Sequence, residues 1–373
     1  VAIKSKSPGR GAIWRRSLLA VLALCGLGST IDVAHAGYAA IVINEADGQV
    51  ITAVNPDEQN HPASLAKMMT LYLAFQALQG GKLKLEQELP VSAWAAAKAP
   101  TKLDLRKGQT ITVEDCILGM ITKSANDAAT VMAEGLGGSE GEFVEAMNAQ
   151  ALRLGMTNTH FANASGLPDP NDTTTARDMS KLAMALYHDY PQYAHYFSTK
   201  EFMFRGRLVR GHNNLMDKYP GMDGLKTGFT NASGFNLAST AVRDGQRLFS
   251  VVLGGRTAAS RDRLMARLLD DGFEDQETPA ALVAQAAGVP AGGGATQRVL
   301  SALSPISTAE AETVPASRRH HRRGKVGTVA TNASCTPRKG TKCPAAPAKR
   351  SSNSSAAKKT TTARANTVPP KQP

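Results

Sequence analysis

The chain has 373 residues, a formal charge of +12 and 42% hydrophobic residues, enough for one large domain or two ordinary ones. The positive charge sits at the ends. Residues 316–373 carry 14 Lys and Arg and no acid, residues 1–36 are also net basic, and the stretch between them is net acidic. A folded region of that sign gives no support to nucleic-acid binding.

The N-terminus has the order of an export signal. Arg10, Arg15 and Arg16 precede an apolar run over 18–27, and Ala34-His35-Ala36 is a small-x-small cleavage site. Residues 1–36 are therefore expected to be a signal peptide, with the mature protein exported to the periplasm or cell envelope. Two β-rich runs follow at 38–45 and 49–55, joined by Ala46-Asp47-Gly48 as a hairpin. A helix starts at Ser64 and stops at Gly80-Gly81, and residues 83–109 show no regular pattern. Thr112 with Asp115, Ser139 with Glu142, and Thr175 with Asp178 each open a helix by capping. The first of these breaks at Lys123-Ser124-Ala125-Asn126, and another helix covers 127–135. Asn, Gly, Pro and Asp make 161–171 a loop. Four strand-like runs come next (201–209, 224–230, 235–242 and 248–254), and then a helix capped by Ser260 that ends at Gly272.

Two strands, a block of helices, consecutive strands and a closing helix predict an α+β domain over 37–273, an antiparallel sheet flanked by helices. Beyond Phe273 no aromatic residue occurs, and the composition is Ala, Pro, Thr, Ser, Gly, Lys and Arg. Residues 274–373 are expected to be a disordered tail, basic from 316, with at most a short helix near 279–287. Cys116 reads as a buried small hydrophobe, and Cys335 and Cys343 have the spacing of a small closed loop. Neither cysteine nor histidine spacing suggests a metal site, and no metal or cofactor is expected.

Three short motifs carry chemistry. Ser64-Leu65-Ala66-Lys67 puts a hydroxyl and an amine on one helix face, where a neutral amine can take the serine proton. A chance copy, Ser355-Ala356-Ala357-Lys358, lies in the tail, so the pattern alone decides nothing. Ser124-Ala125-Asn126 stands at a helix break, and Lys226-Thr227-Gly228 lies on a strand. As a base Lys67 must be neutral, which calls for burial and a nearby cation, with Lys226 the candidate. Lys226 and the Thr227 hydroxyl suit a substrate carboxylate, and Gly228 leaves room for a peptide along the strand edge. Ser124 suits proton relay to a leaving amine, and Asn126 suits orienting Lys67 and a substrate carbonyl. The backbone N–H groups of Ser64 and Phe229 are the candidate oxyanion donors.

These motifs, in this order, are the set of penicillin-binding proteins and class A β-lactamases. The chain resembles the low-molecular-mass penicillin-binding proteins of the serine D-alanyl-D-alanine carboxypeptidase family over roughly residues 39–273. Further resemblance lies in residues 156–167, Thr174-Thr175-Ala176-Arg177-Asp178-Met179, His212-Asn213-Asn214-Leu215-Met216 and Gly254-Gly255-Arg256-Thr257. The resemblance implies a β-lactamase/transpeptidase-like fold. It also implies a Ser64 acyl-enzyme formed on peptidoglycan stem peptides with release of terminal D-Ala, and acylation of the same serine by β-lactams. Arg261 matches a family arginine near the substrate carboxylate, whereas His212 stands where the family often has arginine. The second domain and amphipathic anchor helix common in the family are not visible here. The basic tail is either passive or clings by charge to anionic envelope polymers or the membrane surface. A D,D-endopeptidase cutting cross-links would use the same residues. A class A β-lactamase would have Asp in place of Ala125 and a Glu in the loop that here offers only Asp169 and Asp172. A polyanion binder acting through its tail is the reading from a different class.

Overall fold

Period-two alternation in the first strand already separates the two halves of the core. In the computed structural model, which describes residues 37–289 together with Ala2, β1 (Ala39–Asn44) turns Ala39, Ile41 and Ile43 to one face and Ala40 and Val42 to the other, all buried. The expected signal peptide, apart from Ala2, and the residues beyond 289 with Cys335 and Cys343 lie outside the described residues. β1 pairs with β2 (Val50–Val54) as the predicted hairpin, and its other edge pairs with β9 (Gln246–Gly255). With β7 (Met222–Thr230) and β8 (Gly234–Arg243) they form a five-stranded antiparallel sheet in the order β2-β1-β9-β8-β7. The N-terminal hairpin thus closes onto the last strand. β8 and β9 each bury six successive residues, so both of their faces are covered, with Asn236, Ser239, Thr240 and Ser250 among the buried positions.

One face of the sheet is covered by the C-terminal helix Ala258–Phe273, through Leu264, Met265, Leu268 and Leu269. The other face meets the helical block, whose centre is α1 (Lys67–Gln79). Lys67 to Phe75 are buried without interruption, as in a helix enclosed by protein on every side. Around it lie α2 (Ala93–Ala96), α3 (Val113–Leu118), α4 (Asn126–Gly137), α5 (Glu140–Arg153) and α6 (Ala176–Asp189). The capping residues behave as expected: Thr112, Ser139 and Thr175 accept from the backbone N–H of Asp115, Glu142 and Asp178. Cys116 is fully buried, and burial pushes its thiol well above the ordinary range.

Several expectations are corrected. The irregular stretch 83–109 contributes to a small sheet, β3 (Glu88–Pro90) with β4 (Thr110–Thr112), as well as α2. The run 201–209 is a hairpin, β5 (Glu201–Phe204) and β6 (Arg207–Arg210), apart from the main sheet. Arg205 and Gly206 at its tip both take positive φ, and a basic residue in that role is a weak turn signal. The last long helix, α7 (Ala258–Phe273), is capped by Thr257, with Ser260 three positions in as its partner in a reciprocal box. Packing also continues past Phe273. A short α8 (Ala280–Ala286) buries Val283, its Ala286 carbonyl accepts from Arg256 N, and Thr278 donates to the Asp271 carboxylate. Three small anchors suffice here without aromatic residues. No helix among the described residues is long and apolar enough to cross a membrane.

Candidate active site

Ser64 lies on a single 3-10 turn, Ala63–Ala66, and the α-helix begins only at Lys67. The turn starts from a strained residue: Ala63 has φ of +50°, a left-handed conformation that costs a side-chain-bearing residue about 1–2 kcal/mol. Two packed neighbours hold it there. Asn236 on β8, fully buried, donates from Nδ2 to the carbonyls of His61 (2.9 Å) and Pro62 (3.3 Å) and accepts Gly254 N on Oδ1. From the other side comes Gly166, with φ of +73°, where a Cβ would overlap the Ala63 carbonyl and lie 3.0 Å from Ser64 N.

Lys67 is completely buried, and its Nζ bonds Ser64 Oγ at 3.1 Å, Asn126 Oδ1 at 2.7 Å and the Ser165 carbonyl at 2.5 Å. The sequence reading joined the first two partners. It missed Ser165, because a backbone acceptor supplied by a loop about a hundred residues away leaves no residue-type signature. That loop is itself tied down: Asn163 Oδ1 accepts from Ser165 N and Leu167 N, and Thr70 Oγ1 donates to the Ala164 carbonyl.

The second motif sits on a helix break. After α3 the chain forms a π-turn, Gly119–Lys123, and Ser124 closes it in the left-handed conformation, φ +59°. The helix restarts at Asn126, whose side-chain amide donates to the Ala99 carbonyl and whose Oδ1 is thereby aimed at Lys67. Ser124 is 1% exposed, and its hydroxyl has no hydrogen-bond partner among the described residues. A buried, unpartnered hydroxyl beside a serine–lysine pair suits a proton relay completed by substrate.

Lys226-Thr227-Gly228 lies on the edge strand β7. Gly228 brings that strand against the nucleophile turn: a Cβ there would stand 2.9 Å from Leu65 Cδ1, 3.1 Å from the Pro62 carbonyl and 3.2 Å from Ser64 N. The glycine is therefore required by the approach of β7 to Ser64 itself, in addition to any room it leaves for a peptide. Lys226 is buried, with Nζ on the Thr227 carbonyl at 2.8 Å. Thr227 borders a cavity of about 40 Å³, together with Thr122, His212 and Asn213. Phe229 packs on Phe235 with ring centroids 4.2 Å apart and the rings tilted by 32°. Arg261 is buried too, but its guanidinium donates to the Asn236 carbonyl and to Asp262. Asn236 lies opposite Gly228 in the sheet register, so Arg261, the residue matched to a family arginine near the substrate carboxylate, also braces the strand next to β7.

The loop under Ser64 contains one further charged group. Asp172 is 2% exposed, and its carbonyl accepts from His61 Nδ1 at 2.6 Å. Burial pushes its carboxyl up to about 8; the Ala162 N–H pulls the other way, and Asp169 adds to the rise. At neutral pH such a group is mostly protonated, so it cannot serve as the carboxylate base of a fast β-lactamase.

Residues of three motifs from distant parts of the chain thus meet around Ser64 and Lys67, Asn126 through Lys67 Nζ and Gly228 against the Ser64 backbone. The D-alanyl-D-alanine carboxypeptidase family matches residues 29–257. This chain belongs to that family. It is similar to D-alanyl-D-alanine carboxypeptidase DacC of Escherichia coli, 38% identical over 245 residues covering 64% of this chain and 61% of that protein. It is also similar to DacF of Bacillus subtilis, 34% identical with 67% and 65% covered. The chain therefore spans somewhat less than two thirds of the length of these curated relatives. Among solved structures, penicillin binding protein 5 from Haemophilus influenzae matches with a TM-score of 0.62 at 34% identity, covering 64% of this chain and 71% of that one. A Listeria monocytogenes penicillin-binding protein in its ampicillin-bound form matches with a TM-score of 0.59 at 31% identity, covering 65% of this chain and 99% of that one.

Proposed function

We propose that this protein is an exported serine D-Ala-D-Ala carboxypeptidase that removes the terminal D-alanine from peptidoglycan stem peptides through an acyl-enzyme on Ser64, and that β-lactams acylate the same serine. The observation that carries this reading is the 3.1 Å bond between Lys67 Nζ and Ser64 Oγ, with Asn126 bonded to Lys67 and Gly228 packed against the Ser64 backbone.

Lys67, as the neutral amine, takes the Ser64 proton while Oγ attacks the carbonyl of the penultimate D-Ala. The backbone N–H groups of Ser64 and Phe229 receive the oxyanion. Ser124 gives its proton to the departing amine and takes in turn the proton that Lys67 holds, so the C–N bond breaks, D-alanine leaves and Lys67 is neutral again. Water then attacks the ester as Lys67 takes its proton, and Lys67 returns that proton to Ser64 Oγ as the acyl–oxygen bond breaks, which regenerates Ser64. Thr227 and Lys226 hold the substrate carboxylate, and Asn126 orients both Lys67 and the substrate amide.

Incubation with a synthetic pentapeptide ending in D-Ala-D-Ala should release one equivalent of D-alanine, and Ser64→Ala should abolish both release and labelling by a fluorescent penicillin. Release by Ser64→Ala at the wild-type rate would refute the mechanism. Faster cleavage of cross-linked muropeptides than of the pentapeptide would favour an endopeptidase.

A further inference from the structure

The two fixed acceptors around Lys67, other than the nucleophile, come from separate segments. Asn126 Oδ1 is aimed by the Ala99 carbonyl, which receives the Asn126 amide at 2.9 Å, while Asn126 N is held by the Thr101 carbonyl at 2.8 Å. The Ser165 carbonyl is presented by the loop whose Ala164 is bonded through its oxygen to Thr70. The segment that aims Asn126, 97–101, and the one that presents Ser165, 161–167, are both loops.

One side chain joins them. Glu140, the first residue of α5, accepts Lys98 Nζ on Oε2 at 2.6 Å and Ala164 N on Oε1 at 3.3 Å. Lys98 immediately precedes Ala99, and Ala164 immediately precedes Ser165. The ion pair is enclosed, with side-chain exposures of 9% and 10%. Trp94 shields it, donating from Nε1 to Glu140 Oε2 at 2.6 Å while Lys98 Nζ stands 3.9 Å from its ring centroid. The helix start adds its own dipole to the carboxylate. An indole that is 60% exposed yet fixed at both its N–H and its face has a structural reason here: it keeps water off the ion pair. Charged hydrogen bonds sheltered from water hold geometry more firmly than surface pairs do.

We propose that Glu140 is a positioning residue for the reaction: by bridging Lys98 and Ala164 it clamps together the two segments that present Asn126 Oδ1 and the Ser165 carbonyl to Lys67 Nζ. This rests on the reading of Ser64 and Lys67 given above. Hydrogen-bond acceptors on a lysine bias its proton balance, so loosening the clamp changes the pH at which Lys67 can accept the serine proton as well as the rate.

The test compares the full-length protein with Glu140→Ala and Glu140→Gln, measuring acylation by a fluorescent penicillin from pH 5 to 9. Hydrogen exchange is followed by mass spectrometry over 97–101 and 161–167. Glu140→Ala should acylate at least about tenfold more slowly, with its pH profile displaced, and exchange should quicken in those two segments. Glu140→Gln keeps an oxygen for Ala164 N but sets an amide N–H against Lys98 and Trp94, so its rate and profile should fall between those of Glu140→Ala and wild type. Unchanged rate and profile in Glu140→Ala would overturn the proposal. So would a slower rate with an undisplaced profile and exchange raised evenly over the domain, since that marks general destabilisation. If Glu140→Ala does not fold, Lys98→Met removes one arm of the clamp, and an undisplaced profile in that variant overturns the proposal equally. If wild type is not acylated at all, the functional reading fails by itself, and local exchange in the two segments still decides whether the clamp exists.

Discussion

Asp172 offers a quantitative test of the loop beneath the nucleophile. The folded chain holds its carboxyl proton up to about pH 8, whereas the ordinary value is 3.8. Between those values the native state binds the extra proton, so stability falls as pH rises through the window and levels off above it. Each pH unit is worth about 1.4 kcal/mol, which makes the cost of keeping this carboxyl neutral about 5 kcal/mol at pH 7.5. Asp172→Asn removes that cost. It retains an oxygen for the Ala162 N–H but leaves buried amide hydrogens without partners, a penalty of about 1–3 kcal/mol. The expected net effect is a stabilisation of roughly 2–4 kcal/mol at pH 7.5, shrinking to zero or reversing sign near pH 4. Urea unfolding of both proteins at pH 4.5, 6 and 7.5 measures it. A difference that is flat across this range, or that grows as pH falls, would show that Asp172 is not held neutral by burial.

Two other substitutions address the turn that carries Ser64. Gly166→Ala forces a side chain into the Ala63 carbonyl and into an unfavourable φ, so at least about 3 kcal/mol of destabilisation is expected. Penicillin labelling should also be lost, and near-wild-type thermal stability with normal labelling would contradict the close approach. Asn236→Ala strands the carbonyls of His61 and Pro62 and the N–H of Gly254, at a cost of about 2–4 kcal/mol. Acylation should slow while the far-UV circular dichroism of the folded fraction stays unchanged. An acylation rate equal to wild type would mean that the strained turn holds itself.

The reactive groups were legible in the chain because their spacing is local. Ser64 and Lys67 meet across one turn, Ser124 and Asn126 bracket a helix break, and Lys226-Thr227-Gly228 is one unbroken tripeptide on a strand. The hairpin, the capped helices and the closing strands were legible for the same reason: caps, turns and alternation act over three or four residues. What holds the reactive groups in place was not legible. The Ser165 carbonyl on Lys67, Asn236 under the nucleophile turn, the bracing role of Arg261 and the bridge from Glu140 to Lys98 and Ala164 are contacts between residues 24 to 175 apart. Most use backbone atoms, which every residue carries, so the sequence by itself determined which residues are able to react. Only the tertiary structure decided how the strained turn at Ala63 is kept, because packing and backbone hydrogen bonds depend on which segments meet.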